Sequence, residues 1–158
     1  GGPAYMRIGS GRDPVVDSDI PFELGKARIL KEYGSDIALF ANGFVVNRAL
    51  KAADVLKAEG INAVVVDVHT LKPLDETAII EILKKTGAAV TVEDHNIVGG
   101  LGSAIAELSA EKQPCPIVRI GLRDVYPRSG QPEPLLDYYK MSVTDIVEAA
   151  KRAIKTRV

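Results

Sequence analysis

Residues 88–110 read AAVTVEDHNIVGGLGSAIAELSA. Ala88 to Val92 is rich in β-formers and reads as a buried strand. Glu93, Asp94 and His95 follow at once, then Gly99, Gly100 and Gly102. From there Leu101, Ile105 and Leu108 fall on one face of a helix. A strand therefore delivers polar groups to a sheet edge, and a helix starts close by after a glycine-rich turn. In an open parallel sheet, that edge is where ligands and partner domains dock.

Upstream, the apolar run Asp36 to Ala41, with IALFA at its centre, is a strand of the kind buried in parallel sheets. Asn42 and Gly43 lie at its carboxyl end. Val46, Leu50, Ala53 and Leu56 then keep a helical period, stopped by Gly60. Ala63 to Val68 is the next strand and runs into His69. Asp75 is placed to cap a helix lined by Ile79, Ile80, Ile82 and Leu83, which Gly87 closes.

Downstream, Pro116 to Ile120 is a last strand. Gly121 to Pro134 is a long connection, and Leu135 to Tyr139 reads as a helical turn. Ser142 and Asp145 have the spacing of a capping box, with Met141 set to staple Ile146 at the head of a final helix. Lys26 to Tyr33 is a short element, and Ala4 to Ile8 has the character of one short strand broken by Gly9, Gly11 and Pro14. Strands alternating with helices predict a mostly parallel sheet covered on both faces. That arrangement puts His69, Glu93, Asp94 and His95 just past carboxyl ends of strands.

The chain has 158 residues, enough for one domain with a substantial core. Its 20 basic and 21 acidic residues nearly cancel, which argues against nucleic acid or a membrane surface as partner. The single Cys115 cannot make an internal disulfide and fits a reducing, cytoplasmic setting. No apolar run approaches the roughly 20 residues of a membrane span, and no leader segment is readable. The chain opens on Gly1, in mid-pattern, and reads as a fragment or processed product.

Glu93, Asp94 and His95 are candidate acid–base groups. The competing reading is a hydrogen-bonded loop that fixes the turn into the helix. Alternation along a strand argues against all three meeting at one atom. The glycines do not fit a dinucleotide fingerprint, because Ile105 fills the third glycine position and the strand ends too early. Close helix-on-sheet packing is the better account, with helix N–H groups left free for a partner or an anion. His69 and His95 lack a third metal ligand at a recognisable spacing. Arg7, Arg12, Arg119, Arg123 and Arg128 are candidate anion contacts.

Three stretches together resemble the carboxyl-terminal domain of transketolase, in the form found in two-part bacterial and archaeal enzymes. They are DVHTLKPLD (residues 67–75), TVEDHNIVGGLGSAIAEL (91–108) and RIGLRDVYPRSGQPEPLLDYY (119–139). The opening GGPAYMRIGSGRDP resembles the last strand of the preceding pyrimidine-binding domain. Residues 1–18 are accordingly expected to be that domain's tail plus a linker, and residues 19–158 the carboxyl-terminal domain.

The resemblance implies a three-layer α/β/α fold with a five-stranded, mostly parallel sheet and one antiparallel edge strand at Lys26 to Leu30. It implies an assembled enzyme that uses thiamine diphosphate and magnesium to transfer a two-carbon ketol unit between sugar phosphates, as in the pentose phosphate pathway. This chain is expected to hold neither cofactor nor metal alone and to carry no catalytic residue. The activating glutamate and the cofactor histidines belong to diphosphate- and pyrimidine-binding domains or subunits absent here.

The expected role is a structural one, forming a homodimer and bracing the cofactor domains. Asn42, Glu93, Asp94, His95, Gly99 and Gly100 would form the crest facing the neighbour. At the position of the family's substrate-phosphate arginine stands Ser10, and Arg12, two residues on, is the candidate replacement. The rivals are the equivalent domain of 1-deoxyxylulose phosphate synthase or of a 2-oxo acid dehydrogenase beta subunit. A free-standing small-molecule-binding or interaction domain is a rival of another class.

Overall fold

The computed structural model describes residues 2–6, 16 and 19–157. Arg7, Ser10, Arg12 and the expected boundary at residue 18 lie outside them, as does the end of the strand expected at Ala4 to Ile8. Its described part, residues 4–6, is exposed and has no regular structure.

The described residues form five strands and five α-helices. They are β1 (Arg28–Glu32), β2 (Ile37–Ala41), α1 (Val46–Ala58), β3 (Ala63–Asp67), α2 (Glu76–Thr86), β4 (Ala89–Asn96), α3 (Leu101–Lys112), β5 (Ile117–Leu122), α4 (Pro132–Tyr138) and α5 (Val143–Lys155), and they alternate from β2 to α4. A 3-10 turn, Gly43–Val45, precedes α1. The strand order is β1-β3-β2-β4-β5. β1 runs antiparallel to β3, and the other pairs are parallel. The expected mixed sheet with one antiparallel edge strand is therefore what the residues form. Arg28 ties that edge down through an ion pair to the buried Asp67 at 2.6 Å.

The period of two along the central strands creates the three layers. Ile37, Leu39 and Ala41 of β2 join Ala63, Val65, Val90 and Val92 on one face. There they meet Ala49, Ala52 and Leu56 of α1 and Ile146, Ala149, Ala150 and Ala153 of α5. Ala38 and Phe40 point the other way with Val64, Val66 and Ala89. They meet Ile79 and Leu83 of α2 and Leu101 and Ile105 of α3. Both faces are covered, so β2 and β3 read as continuous apolar runs.

The expected helix signals at α2 and α5 operate. The Asp75 carboxylate accepts from Ala78 N at 3.3 Å and also from Ala27 N at 3.1 Å, so the cap of α2 holds the lead-in to β1 as well. Gly87 closes α2 with φ 64°. Ser142 and Asp145 form a complete capping box on α5, and Met141 is buried in the same cluster as Ile146.

Three boundaries differ from those read in the sequence. β4 continues through Glu93, Asp94 and His95 to Asn96, and β5 extends to Leu122. The two extensions have one cause, since Asn96 pairs with Leu122 beyond a bulge and each strand lengthens the other. The third is α4, a seven-residue helix beginning at Pro132. Proline suits a first helical turn, where its missing N–H is not needed. What secures α4 is Arg48 of α1, only 7% exposed. Its guanidinium donates to Asp137 Oδ1 at 2.6 Å, to the Glu133 carboxylate, and to the main-chain oxygens of Glu133 and Met141 at 3.1 Å.

Ser142→Ala should lower stability by about 1 kcal/mol. Asp145→Ala should cost a similar amount, and the double variant less than the sum, because the pair shares one capping box. Urea denaturation followed by circular dichroism checks this. Fully additive losses would mean that the two side chains act separately.

Candidate functional site

The chain reverses its direction across the sheet between β2 and β4. β3 is added on one side of β2 and β4 on the other. In an open parallel sheet the crevice at the carboxyl ends of two such strands is the usual ligand site. α3 starts beside that crevice, and its first N–H groups carry the partial positive charge of a helix amino terminus. Sequence reasoning left those groups free for an anion or a partner.

The structure corrects this, because they are taken. Glu93, 2% exposed, turns in from β4. Its Oε2 accepts from Leu101 N and its Oε1 from Gly102 N, both at 2.8 Å. Gly100, the residue before α3, offers no side-chain cap of its own, so the sheet supplies one. The glycines follow from this contact. A Cβ on Gly100 would lie 1.9 Å from Glu93 Oε2. One on Gly102 would lie 2.8 Å from Thr91 Oγ1, and one on Gly121 2.8 Å from the main-chain oxygen of His95. The glycine pattern makes room for a protein carboxylate and close backbone packing, not for a phosphate.

The loop between β4 and α3 is held from several sides. Arg119 Nη1 and Ser103 Oγ donate to Ile97 O at 2.9 and 3.0 Å. Gly99, at φ 80°, donates to Ser103 Oγ at 2.9 Å, and Val98 N donates to Asn96 Oδ1 at 2.9 Å. Arg119 therefore commits its Nη1 to the loop inside the protein, as a strut between β5 and the β4–α3 turn. Thr91, Ser103 and Gly121 are parts of this arrangement that sequence reasoning missed. The loop pushes Val98 outward, 65% exposed.

Glu93 thus departs from most of the other crest residues. Asp94, His95 and Gly99 are exposed and Asn42 is partly buried at the end of β2, whereas Gly100 is buried against the Glu93 carboxylate and, like Glu93, does not face outward. Asn42 N donates to Val92 O at 3.4 Å, and its side chain makes no cap contact. The bulge in β4 between Val92 and Asn96 breaks the simple alternation of side chains. Asp94 and His95 both line one cleft of about 370 Å³. Its walls are Leu122, Pro127, Leu135, Leu136 and Met141, and Arg128 and Tyr139 complete it.

His69 lies elsewhere, at the end of β3, with the Phe22 ring 4.4 Å away. Its Nδ1 meets Thr70 Oγ1 at 2.8 Å, and its buried Nε2 finds no hydrogen-bond partner among the described residues. No group of three or more metal-ligating side chains forms among the described residues. Cys115 is half-buried beside Ser109 Oγ at 3.7 Å, and burial pushes its thiol up. No helix of the described residues is long and apolar enough to cross a membrane. The crevice that a diphosphate would use is filled by Glu93, so the described residues do not fit thiamine diphosphate or its magnesium.

The family model "Transketolase, C-terminal domain" matches residues 25–146. The chain is 42% identical over 150 residues to a 6-deoxy-6-sulfo-D-fructose transketolase subunit of Clostridium sp. (strain MSTE9), covering 94% of this chain and 46% of that subunit. It is 38% identical over 154 residues to a 1-deoxy-D-xylulose-5-phosphate synthase of Heliobacterium modesticaldum, covering 95% of this chain and 24% of that enzyme. A solved structure described as a split gene transketolase, inactive β4 tetramer, superposes with a TM-score of 0.86 at 41% identity. That match covers 92% of this chain and 48% of the other. The chain therefore spans half or less of the length of these relatives.

Glu93→Ala should cost about 3 kcal/mol, since it strands two buried donors. Acetate or formate should raise the melting temperature of that variant and leave the parent unchanged, by occupying the vacated carboxylate position. No rescue, or equal effects on both proteins, would contradict the capping role. Alkylation of Cys115 by iodoacetamide should reach half its limiting rate at a higher pH than that of a free cysteine measured alongside, because burial disfavours the thiolate. A half-rate at or below the pH found for free cysteine would show an accessible thiol.

Proposed function

The chain belongs to the transketolase C-terminal-domain family, and we propose that it is the non-catalytic carboxyl-terminal part of an enzyme that transfers a two-carbon ketol unit between sugar phosphates. Thiamine diphosphate and magnesium would be held by the diphosphate- and pyrimidine-binding parts of that enzyme. This part would brace them and build a homodimer in the cytoplasm. Residues 1–18 would continue from the pyrimidine-binding part, and Arg12 would reach the substrate phosphate.

The observation that carries this reading is the Glu93 carboxylate on the amino terminus of α3. It closes the position where this sheet would otherwise take an anionic ligand. What remains at the carboxyl edge suits docking. Phe22, Leu24, Leu71, Val98, Val125 and Tyr126 are all exposed there, and an apolar rim of this kind marks an interaction surface. Asn42, Asp94, His95 and Gly99 lie between and beside them as the polar part of the crest. The inactive state named for the solved relative agrees with a half that needs its complement. The match to a 1-deoxy-D-xylulose-5-phosphate synthase favours a second reading, the same domain in a decarboxylating thiamine enzyme.

The isolated chain with thiamine diphosphate and magnesium should show no ketol transfer, and transfer should appear when the cofactor-binding part is added. Activity of the isolated chain would overturn the proposal. Turnover of 2-oxo acids by the assembly would select the second reading. Val98→Asp and Tyr126→Asp should each weaken assembly about tenfold. Both residues are exposed, so the stability of the isolated chain should change by no more than about 0.5 kcal/mol.

A further inference from the structure

The cleft beside β4 shares Asp94 and His95 with the proposed crest, but its apolar lining and Arg128 have no part in the assembly reading. Its floor is apolar, made by Leu122, Leu135, Leu136 and Met141, with Pro127 at the side. Its volume, about 370 Å³, lies near the lower end of small-ligand clefts. Asp94, His95 and Arg128 stand around it. None of these three makes a side-chain hydrogen bond or ion pair with any described residue. Elsewhere Arg28, Lys31, Arg48 and Lys151 are all matched to carboxylates. At the cleft, by contrast, an apolar lining opens onto a carboxylate, an imidazole and a guanidinium that form no ion pair with one another or with any other described residue.

The walls are held in place before any ligand arrives. Arg48 pins α4 through Glu133 and Asp137. Tyr139 OH accepts from Arg128 N at 2.7 Å, and Asn96 Nδ2 donates to Asp124 Oδ1 at 3.0 Å. The Arg128 guanidinium lies 5.1 Å from the Tyr138 ring, a cation–π contact that limits its sweep.

The mouth carries one negative group, Asp94, and one positive group, Arg128. A plain anion gains from one and is repelled by the other, and a plain cation suffers the reverse. A ligand with both charges gains twice. We infer that the cleft binds a free α-amino acid with an apolar side chain. Its carboxylate meets Arg128, its ammonium meets Asp94, and its side chain covers the leucine and methionine floor. His95 supplies an imidazole that donates to the carboxylate or accepts from the ammonium. Binding here is separate from ketol transfer and does not depend on the assembly reading.

The test is calorimetric titration of the full chain with L-leucine and L-phenylalanine. Three controls each remove one feature: 4-methylpentanoate lacks the ammonium, 3-methylbutylamine lacks the carboxylate, and glycine lacks the apolar body. The expected result is saturable binding of leucine or phenylalanine, at least about tenfold tighter than every control. Arg128→Ala and Asp94→Asn should each weaken it by a similar factor at unchanged melting temperature, since both side chains are exposed. Absence of saturable binding overturns the inference. So does glycine or 4-methylpentanoate binding as tightly as leucine, or leucine affinity indifferent to both substitutions.

Discussion

The Glu93 carboxylate bonded to the first two N–H groups of α3 is the contact on which the rest of the carboxyl edge depends. A buried carboxylate must find donors, and a buried helix amino terminus must find acceptors. Each solves the other's problem across the strand–helix junction. The solution demands space, which is why Gly100, Gly102 and Gly121 surround it. It also orients the loop through Val98, because Arg119 and Ser103 close the remaining main-chain oxygen of Ile97. One carboxylate accepting two backbone hydrogen bonds thus turns a generic ligand crevice into a rigid surface.

A second constraint operates on the neighbouring side. Arg48 reaches from α1 to α4 and makes four contacts with Glu133, Asp137 and Met141. A guanidinium buried to this degree needs all of its donors placed. Placing them ties a short, proline-started helix to the sheet layer. The connection before α4 then spans from β5 to a fixed end and walls the cleft with Pro127, Arg128 and Gly130. The rigid loop at Val98 and the walled cleft are therefore independent products of two buried charges. The edge can present an apolar docking rim and a concave, charged mouth at once.

Much of the architecture was legible. The apolar runs IALFA and AVVVD, the periodic helices, the capping residues Asp75 and Ser142, and the stop glycines Gly60 and Gly87 each act locally. Their backbone preferences hold wherever the chain puts them. The motif resemblance carried the antiparallel edge strand, which composition and period could not assign. The glycine run was read as tight packing, and it is. What it packs around was not legible, because Glu93 looks like its neighbours Asp94 and His95 in the row of residues. Only the bulge between Val92 and Asn96 sends one inward and two toward the cleft.

The amino-acid sequence by itself determined the strand–helix alternation, the two apolar faces and the family, since these rest on periodicity, local caps and contiguous motifs. Tertiary structure alone decided that the α3 amino terminus is closed, that Arg119 is an internal strut, and that α4 starts at Pro132 and not at Leu135. Those outcomes rest on pairs such as Arg48 with Asp137 and Arg119 with Ile97, far apart along the chain. An ionisable side chain carries no local mark of its partner. Its role is settled by which opposite charge or unsatisfied backbone group the fold brings within hydrogen-bonding reach.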